Sequence, residues 1–391
     1  MDRRIFLIGL GAFAVSSIAF LFAGLLPLIA ADTGMTVPQA GYLAFAFSIA
    51  YALATPVISA LTGAYDRRIV VCASLAAFVV GTILTATSAT MVQLVLAQIL
   101  TGMAAGQFAA SGQAVAVSLA PPDRRATAIS MVVGGTTFAV AFGAPLGSFL
   151  AHIAGWRTGF GFVGAVAAVC LVSLWMLLPK NMPGARLSLA ERLEVVRRPG
   201  VARVILISFI YLCGGFVVVA YLGPIMIDGA GVAPEMLPLV LLLYGIGAIS
   251  GNFISGRISD RVGPRRVVIA AFVSGIVISL LMAAALGLPS TLAGPVVMAL
   301  LFVWGVLGWI FPPAQSSRLV NRAPDVAHLT LSLNVSSVYL GVAFGTFAGG
   351  RILEFGSIPG LLYAGGGFCL IALVVLLAEK RAPATDIAPA R

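Results

Sequence analysis

Thirteen carboxylates, two histidines and four cysteines are the acidic, imidazole and thiol groups that this chain of 391 residues offers for proton transfer, nucleophilic attack or metal ligation. Their spacing builds no cluster. His152 and His328 have no second ligand at helical spacing, and neither a G-x-S-x-G nor an H-E-x-x-H pattern occurs. Cys72, Cys170, Cys213 and Cys369 fall inside apolar runs, without the close pairing of a metal site or a disulfide framework. An enzyme needs a nucleophile with its base, or a metal set, so neither catalysis nor a metal or cofactor is expected.

What the apolar runs do carry is neutral. Gln98, Gln107, Gln113, Tyr244, Asn252, Gln315, Asn334 and Tyr339 are the substrate-cavity candidates, and Ser16, Thr136, Thr137, Trp304 and Trp309 are further polar or aromatic residues within the runs. Small-molecule sites are mostly apolar with a few placed polar groups. This set suits an uncharged or amphipathic solute held by amide hydrogen bonds and aromatic stacking, and it gives a phosphate or carboxylate no fixed charge to meet. Gln107, Tyr244 and Asn334, which lie well inside their runs, are preferred. Each residue has a competing role, because Ser, Thr, Asn and Gln also join helices to one another in lipid. An acid inside the membrane is the usual proton carrier, and none sits in mid-run here. Asp32 and Asp228, near run ends, are the remaining coupling candidates, and each reads first as a helix-end residue.

The elements that must position these groups follow from composition. Sixty per cent of residues are hydrophobic and only 9% are charged, with a mean hydropathy of +1.09, which no aqueous fold could hide. A bilayer core takes about 20 apolar residues per helix. Twelve such spans are predicted, near 4–30, 37–63, 69–89, 91–119, 126–151, 158–178, 203–227, 233–256, 265–287, 292–317, 328–350 and 358–378. The first is too long for a secretory signal and is expected to remain as a mature helix.

The net charge of +10 reports topology and not a nucleic-acid partner. With the N-terminus in the cytoplasm, all but Arg157 and Arg351 of the 23 basic residues fall on the cytoplasmic side, the positive-inside asymmetry of a multi-pass protein with both termini cytoplasmic. The expected location is a bacterial inner (plasma) membrane.

Residues 180–202 form the longest polar stretch, a cytoplasmic linker whose Leu189, Leu193 and Val196 suit a short helix on the membrane surface. On either side the chain repeats itself. Val140-Ala141-Phe142-Gly143 with Gly147 is answered by Val342-Ala343-Phe344-Gly345 with Gly349, Gln113 by Gln315, Asp123 by Asp325, and Asp66-Arg67 by Asp260-Arg261. Duplicated halves are therefore expected, a six-helix bundle over 1–179 and another over 203–379, followed by a cytoplasmic tail over 380–391. Two such bundles can rock about a central site and open it to each side in turn.

The loop Gly256-Arg257-Ile258-Ser259-Asp260-Arg261-Val262-Gly263-Pro264-Arg265-Arg266 resembles the loop signature of the major facilitator superfamily, and Gly63-Ala64-Tyr65-Asp66-Arg67-Arg68 is a degenerate copy. The resemblance implies that Asp66, Arg67, Asp260, Arg261, Arg265 and Arg266 form a cytoplasmic latch between helices. Gly24-Leu25-Leu26-Pro27 with Asp32, then Pro38-Gln39-Ala40-Gly41, is similar to the first-helix signature of the twelve-helix drug and sugar efflux members. Gly143, Pro145 and Gly147 resemble the glycine-rich fifth-helix motif of the antiporters. Two departures stand out, since many relatives carry an acid where Ala19 stands and an Arg where Gln98 stands. A buried ion needs a partner, so the joint loss is tolerable, and it removes the usual charge pair from the cavity.

The expected fold is all-α and integral to the membrane, twelve helices in two pseudo-symmetric six-helix bundles. The expected activity is secondary transport, exporting a small neutral or amphipathic drug, sugar or metabolite by alternating access in exchange for protons, from a monomer. An importer or uncoupled facilitator of the same fold stays open, and a transporter-like membrane sensor is a remote alternative.

Overall fold

A computed structural model describes residues 2–121, 124–182 and 194–379. Among them, twelve helices are long and apolar enough to cross a membrane: α1 (Arg3–Thr33), α2 (Val37–Leu61), α3 (Arg67–Thr87), α4 (Met91–Leu119), α5 (Thr127–Ala154), α6 (Arg157–Leu177), α7 (Val201–Val219), α8 (Pro234–Val262), α9 (Pro264–Ala285), α10 (Thr291–Arg322), α11 (Leu329–Phe355) and α12 (Ile358–Leu377). Each of the expected spans overlaps one of them. The surface helix expected around Leu189 and Leu193 and the tail over 380–391 lie outside the described residues, and Val195–Arg197 is a single 3-10 turn.

Span ends shift by several residues, α8 running to Val262 where 256 was expected and α11 to Phe355 where 350 was expected, and in two further spans proline interrupts the helix. The seventh was expected to run to 227, but α7 stops at Val219, followed by the short turn Leu222–Pro224 and a π-helical turn Ile225–Gly229. Pro224 has no N–H to return to the carbonyl one turn back. The tenth was expected to end at 317, but α10 continues to Arg322 through a break at Trp309–Ile310 ahead of Pro312 and Pro313. The Gly308 carbonyl that Pro312 leaves without a helical donor accepts instead from the Tyr211 hydroxyl at 3.0 Å, as a buried carbonyl must find a partner.

Small residues set the helix spacing inside each bundle. A Cβ on Gly147 would lie 1.8 Å from a Leu21 methyl, and one on Gly143 would lie 2.2 Å from the Ser17 hydroxyl, so α5 presses directly on α1. In the second half, Gly345 meets the Cys213 carbonyl and Gly349 the Tyr221 ring, so α11 presses on α7 in the same way. Pro145 follows a π-helical turn at Ala139–Gly143, the local widening that accommodates its missing donor. The two bundles are thus pseudo-symmetric in packing as well as in sequence.

The contacts that join the bundles gather in the half of the molecule opposite the chain ends. Tyr42 and Phe45 of α2 meet Phe347 and Phe344 of α11. Gly245 of α8 sits so close to α5 that a Cβ would lie 2.3 Å from the Ala141 Cα, and Gly223 faces Pro27 of α1. The hydroxyl of the fully buried Tyr221 lies beside Gly41 of α2 and Gly350 of α11 and donates to the Thr346 carbonyl at 2.9 Å.

Candidate functional site

Midway along the bundles this packed half gives way to a polar and aromatic centre drawn from both. Phe20 of α1 touches Phe216 of α7 and Trp309 of α10, with centroids 5.7 and 6.2 Å apart. The Trp309 ring N–H donates to the Tyr244 hydroxyl at 3.0 Å, and Tyr244 also lies against Trp304 at 5.8 Å. Across the α5–α8 seam the Asn252 amide donates to the Thr137 hydroxyl at 3.2 Å. Across the α2–α11 seam the rings of Tyr51 and Tyr339 stack at 3.5 Å. The Ser16 hydroxyl donates to that of Thr136 at 3.2 Å, linking α1 to α5. No Asp, Glu, Lys, Arg or His takes part in these contacts.

Of the eight cavity candidates, Tyr244, Asn252 and Tyr339 are brought to this centre. The others are placed elsewhere, and each has a partner that shows why, or an exposed position. Gln98 is fully buried against α3, its amide donating to Thr85 at 2.9 Å. Gln107 ties α4 to α2, accepting from Ser59 at 3.1 Å and donating to Thr62 at 3.0 Å. Gln113 is exposed on α4. Gln315 donates to the Val204 carbonyl at 2.7 Å and to Ser208 at 3.1 Å, and Asn334 accepts from the same Ser208 at 2.6 Å. Amides at these positions join helices within one bundle.

The coupling candidates lie away from the centre. Asp32, at the end of α1, is ion-paired with Arg157 and accepts from the Trp156 ring N–H at 2.9 Å, which fastens α1 to the start of α6. Asp228 is exposed on the π-helical turn after α7. Hydrogen bonds of the first latch motif run within α3 and to the start of the linker, and one of the second runs to α12. Asp66 caps α3 through the Arg68 amide and accepts from the amides of Asn181 and Met182, while the Arg67 amide donates to the Met182 carbonyl. Arg265 donates to the Leu376 carbonyl at the end of α12. Asp260, Arg261 and Arg266 are exposed.

One charged cluster was not legible beforehand. Glu379 counts in sequence as an end-of-helix acid and Arg318 and Arg322 as positive-side anchors, yet the carboxylate is only 6% exposed and pairs with both guanidinium groups. Arg318 also donates to Gln315, so a hydrogen-bonded chain runs from Asn334 through Ser208, Gln315 and Arg318 to Glu379. The available signal was the four-residue spacing of the arginines, which sets both on one face of α10.

Twelve bilayer-length helices in two like bundles around an uncharged centre define a multi-pass membrane protein with the architecture of a solute carrier. The chain belongs to the Major Facilitator Superfamily, whose family model matches residues 5–330 and 204–391. It is similar to the inner membrane transport protein YdhP of Escherichia coli, 28% identical over 97% of this chain and 96% of that one. The chloramphenicol resistance protein of Streptomyces lividans is likewise 28% identical, over 100% of this chain and 99% of its own. A crystal structure of the human organic anion transporter MFSD10 shares the fold, with a TM-score of 0.71 over 96% of this chain and 99% of that one at 17% identity.

Proposed function

We propose that this chain is a secondary transporter that exports a small uncharged or amphipathic solute by alternating access between the bundles over 1–179 and 203–379. The observation that carries the reading is a neutral aromatic and hydroxyl centre, at Tyr51, Tyr244, Trp309, Asn252 and Tyr339, lying where two bundles meet along one half of their length. The distribution of basic residues supports cytoplasmic termini, which sets the packed half toward the outside. The motifs at Asp66-Arg67 and Asp260-Arg261 then sit at the cytoplasmic end, where a latch would close in the opposite state. Similarity to a chloramphenicol resistance protein supports export of a drug-like solute.

Proton exchange is the coupling expected of such an exporter, with Asp32 or Asp228 as carrier. An uncoupled facilitator is the second reading, favoured by the engagement of Asp32 with Arg157 and Trp156 at a helix end. Solute-driven proton movement in proteoliposomes, measured across a panel of sugars, nucleosides and hydrophobic drugs, separates them. Proton flux with one solute, lost in Asp32→Asn or Asp228→Asn, supports antiport. Solute flux without proton movement leaves the facilitator, and no flux of any solute removes the transport reading.

A further inference from the structure

The two loop motifs share an Asp-Arg pair but are held differently. Asp260 is exposed at the end of α8, whereas the Asp66 carboxylate accepts from three backbone amides. One, from Arg68 at 2.9 Å, is the ordinary cap of α3. The other two come from the start of the linker, where Asn181 donates to Oδ2 at 2.9 Å and Met182 to Oδ1 at 3.2 Å. The Met182 carbonyl in turn accepts from the Arg67 amide at 3.1 Å, so both backbone groups of Met182 are engaged. Consecutive amides converge on one anion when the chain turns through the left-handed region. Asn181 supplies that turn with φ 59°, the one non-glycine residue of positive φ among the described residues. Such a conformation persists only where the surroundings hold it, and asparagine is among the few side chains that accept it.

Side chains close the same corner. Leu178 and Met182 are buried, and the Arg68 guanidinium donates to the Trp175 carbonyl at the end of α6 and lies over the Trp175 ring, 4.6 Å from its centroid. The other end of the linker is held as well. Val195 packs with Leu329 and Leu333 of α11, and the Arg322 guanidinium, itself paired with Glu379, lies where a Cβ on Gly200 would be 2.2 Å away.

We infer that the first loop motif is the clasp of the linker: Asp66 fixes the point at which the chain leaves the first bundle. Displacement of that bundle then reaches Met182 without slack, and Asp66 can engage another partner only by letting Asn181 and Met182 go. In the second bundle the end of α12 is taken by a different residue, Arg265, on the Leu376 carbonyl. The clasp belongs to the fold and holds whatever solute the protein carries.

Hydrogen exchange of the purified full chain, resolved to single amides by electron-transfer fragmentation, tests it. Asp66→Asn keeps a capping oxygen for α3 but sets a side-chain N–H against the donors of the linker. It is expected to lower protection at Asn181 and Met182 about tenfold while Arg68 stays as protected as in the parent. Asn181→Val disfavours the left-handed turn without touching the motif. It is expected to give the same loss at Met182, and the double variant no more than either alone. Asp260→Asn is expected to leave Ala378 and Glu379, just after α12, unchanged. Parent protection at Asn181 and Met182 in Asp66→Asn overturns the clasp, as does a loss confined to the first turn of α3, which would leave Asp66 a helix cap alone. Losses that multiply in the double variant place the two residues in separate contacts and overturn it too. An equal loss after α12 in Asp260→Asn overturns the difference between the motifs.

Discussion

Gly245→Ala adds a single methyl group where α8 crosses α5, and the structure sets how far the helices must move. The new Cβ would lie 2.3 Å from the Ala141 Cα and 3.0 Å from the Val140 carbonyl oxygen. Carbon atoms in good contact sit about 3.5–4.0 Å apart, so the seam must open by roughly 1 Å at this level. Both obstacles are backbone and no rotamer change relieves them. Overpacking of this kind costs about 1–3 kcal/mol, and because it falls only on the state in which α5 and α8 are in contact, it shifts the equilibrium between states by about 5- to 150-fold. A cysteine at Ala23, a buried position on α1, provides the readout through its rate of reaction with a membrane-impermeant maleimide added from the side opposite the termini. The rate is expected to rise by that factor in Gly245→Ala and to stay unchanged in Gly161→Ala, where a Cβ meets nothing within 4 Å. An unchanged rate in Gly245→Ala, or an equal rise in both, would refute the argument that this seam is a gate held shut by backbone contact.

Two further outcomes follow from the packing of the second bundle. Arg318→Met leaves the Glu379 carboxylate buried with Arg322 as its remaining partner, and is expected to cost about 3 kcal/mol, read as a lowered Tm in detergent; adding Glu379→Gln is expected to recover most of it. Tyr211→Phe keeps the ring on Phe311 but strips the hydroxyl from the Gly308 carbonyl. A loss of about 1–3 kcal/mol is expected for that unpaired group, and a melting curve identical to the parent would show that the Pro312 break needs no such support.

The helices were legible because bilayer thickness turns hydropathy into length, and the repeat of Val140–Gly143 at Val342–Gly345 carried the bundle symmetry. Prolines could have marked the breaks at Pro224 and Pro312, but a run that stays apolar through a proline gives hydropathy no edge to find. At the centre, residue type alone was ambiguous. Gln98 and Asn252 are both amides inside apolar spans, and only the arrival of Thr85 beside one and Thr137 beside the other separates a helix tie from a bundle contact. The Arg318–Glu379 pair spans 61 residues, and the Tyr51–Tyr339 stack joins opposite halves, so no local periodicity could announce either.

The Tyr221 ring, set between Gly41 and Gly350 with its hydroxyl on the Thr346 carbonyl, belongs to a closure made of glycine backbone and aromatic carbon. Such a seal has nothing for mobile ions to screen, and its phenol keeps its proton across the ordinary range of acidity. The opposite end carries the carboxylates and guanidinium groups of the two loop motifs, and any attraction they form in another state would weaken as ionic strength rises. The two mouths of the molecule therefore answer to different variables. In the proposed cycle, salt at the end that carries the termini would bias which mouth is open, whereas the opposite mouth would respond to temperature and to the lateral pressure of the lipid around it.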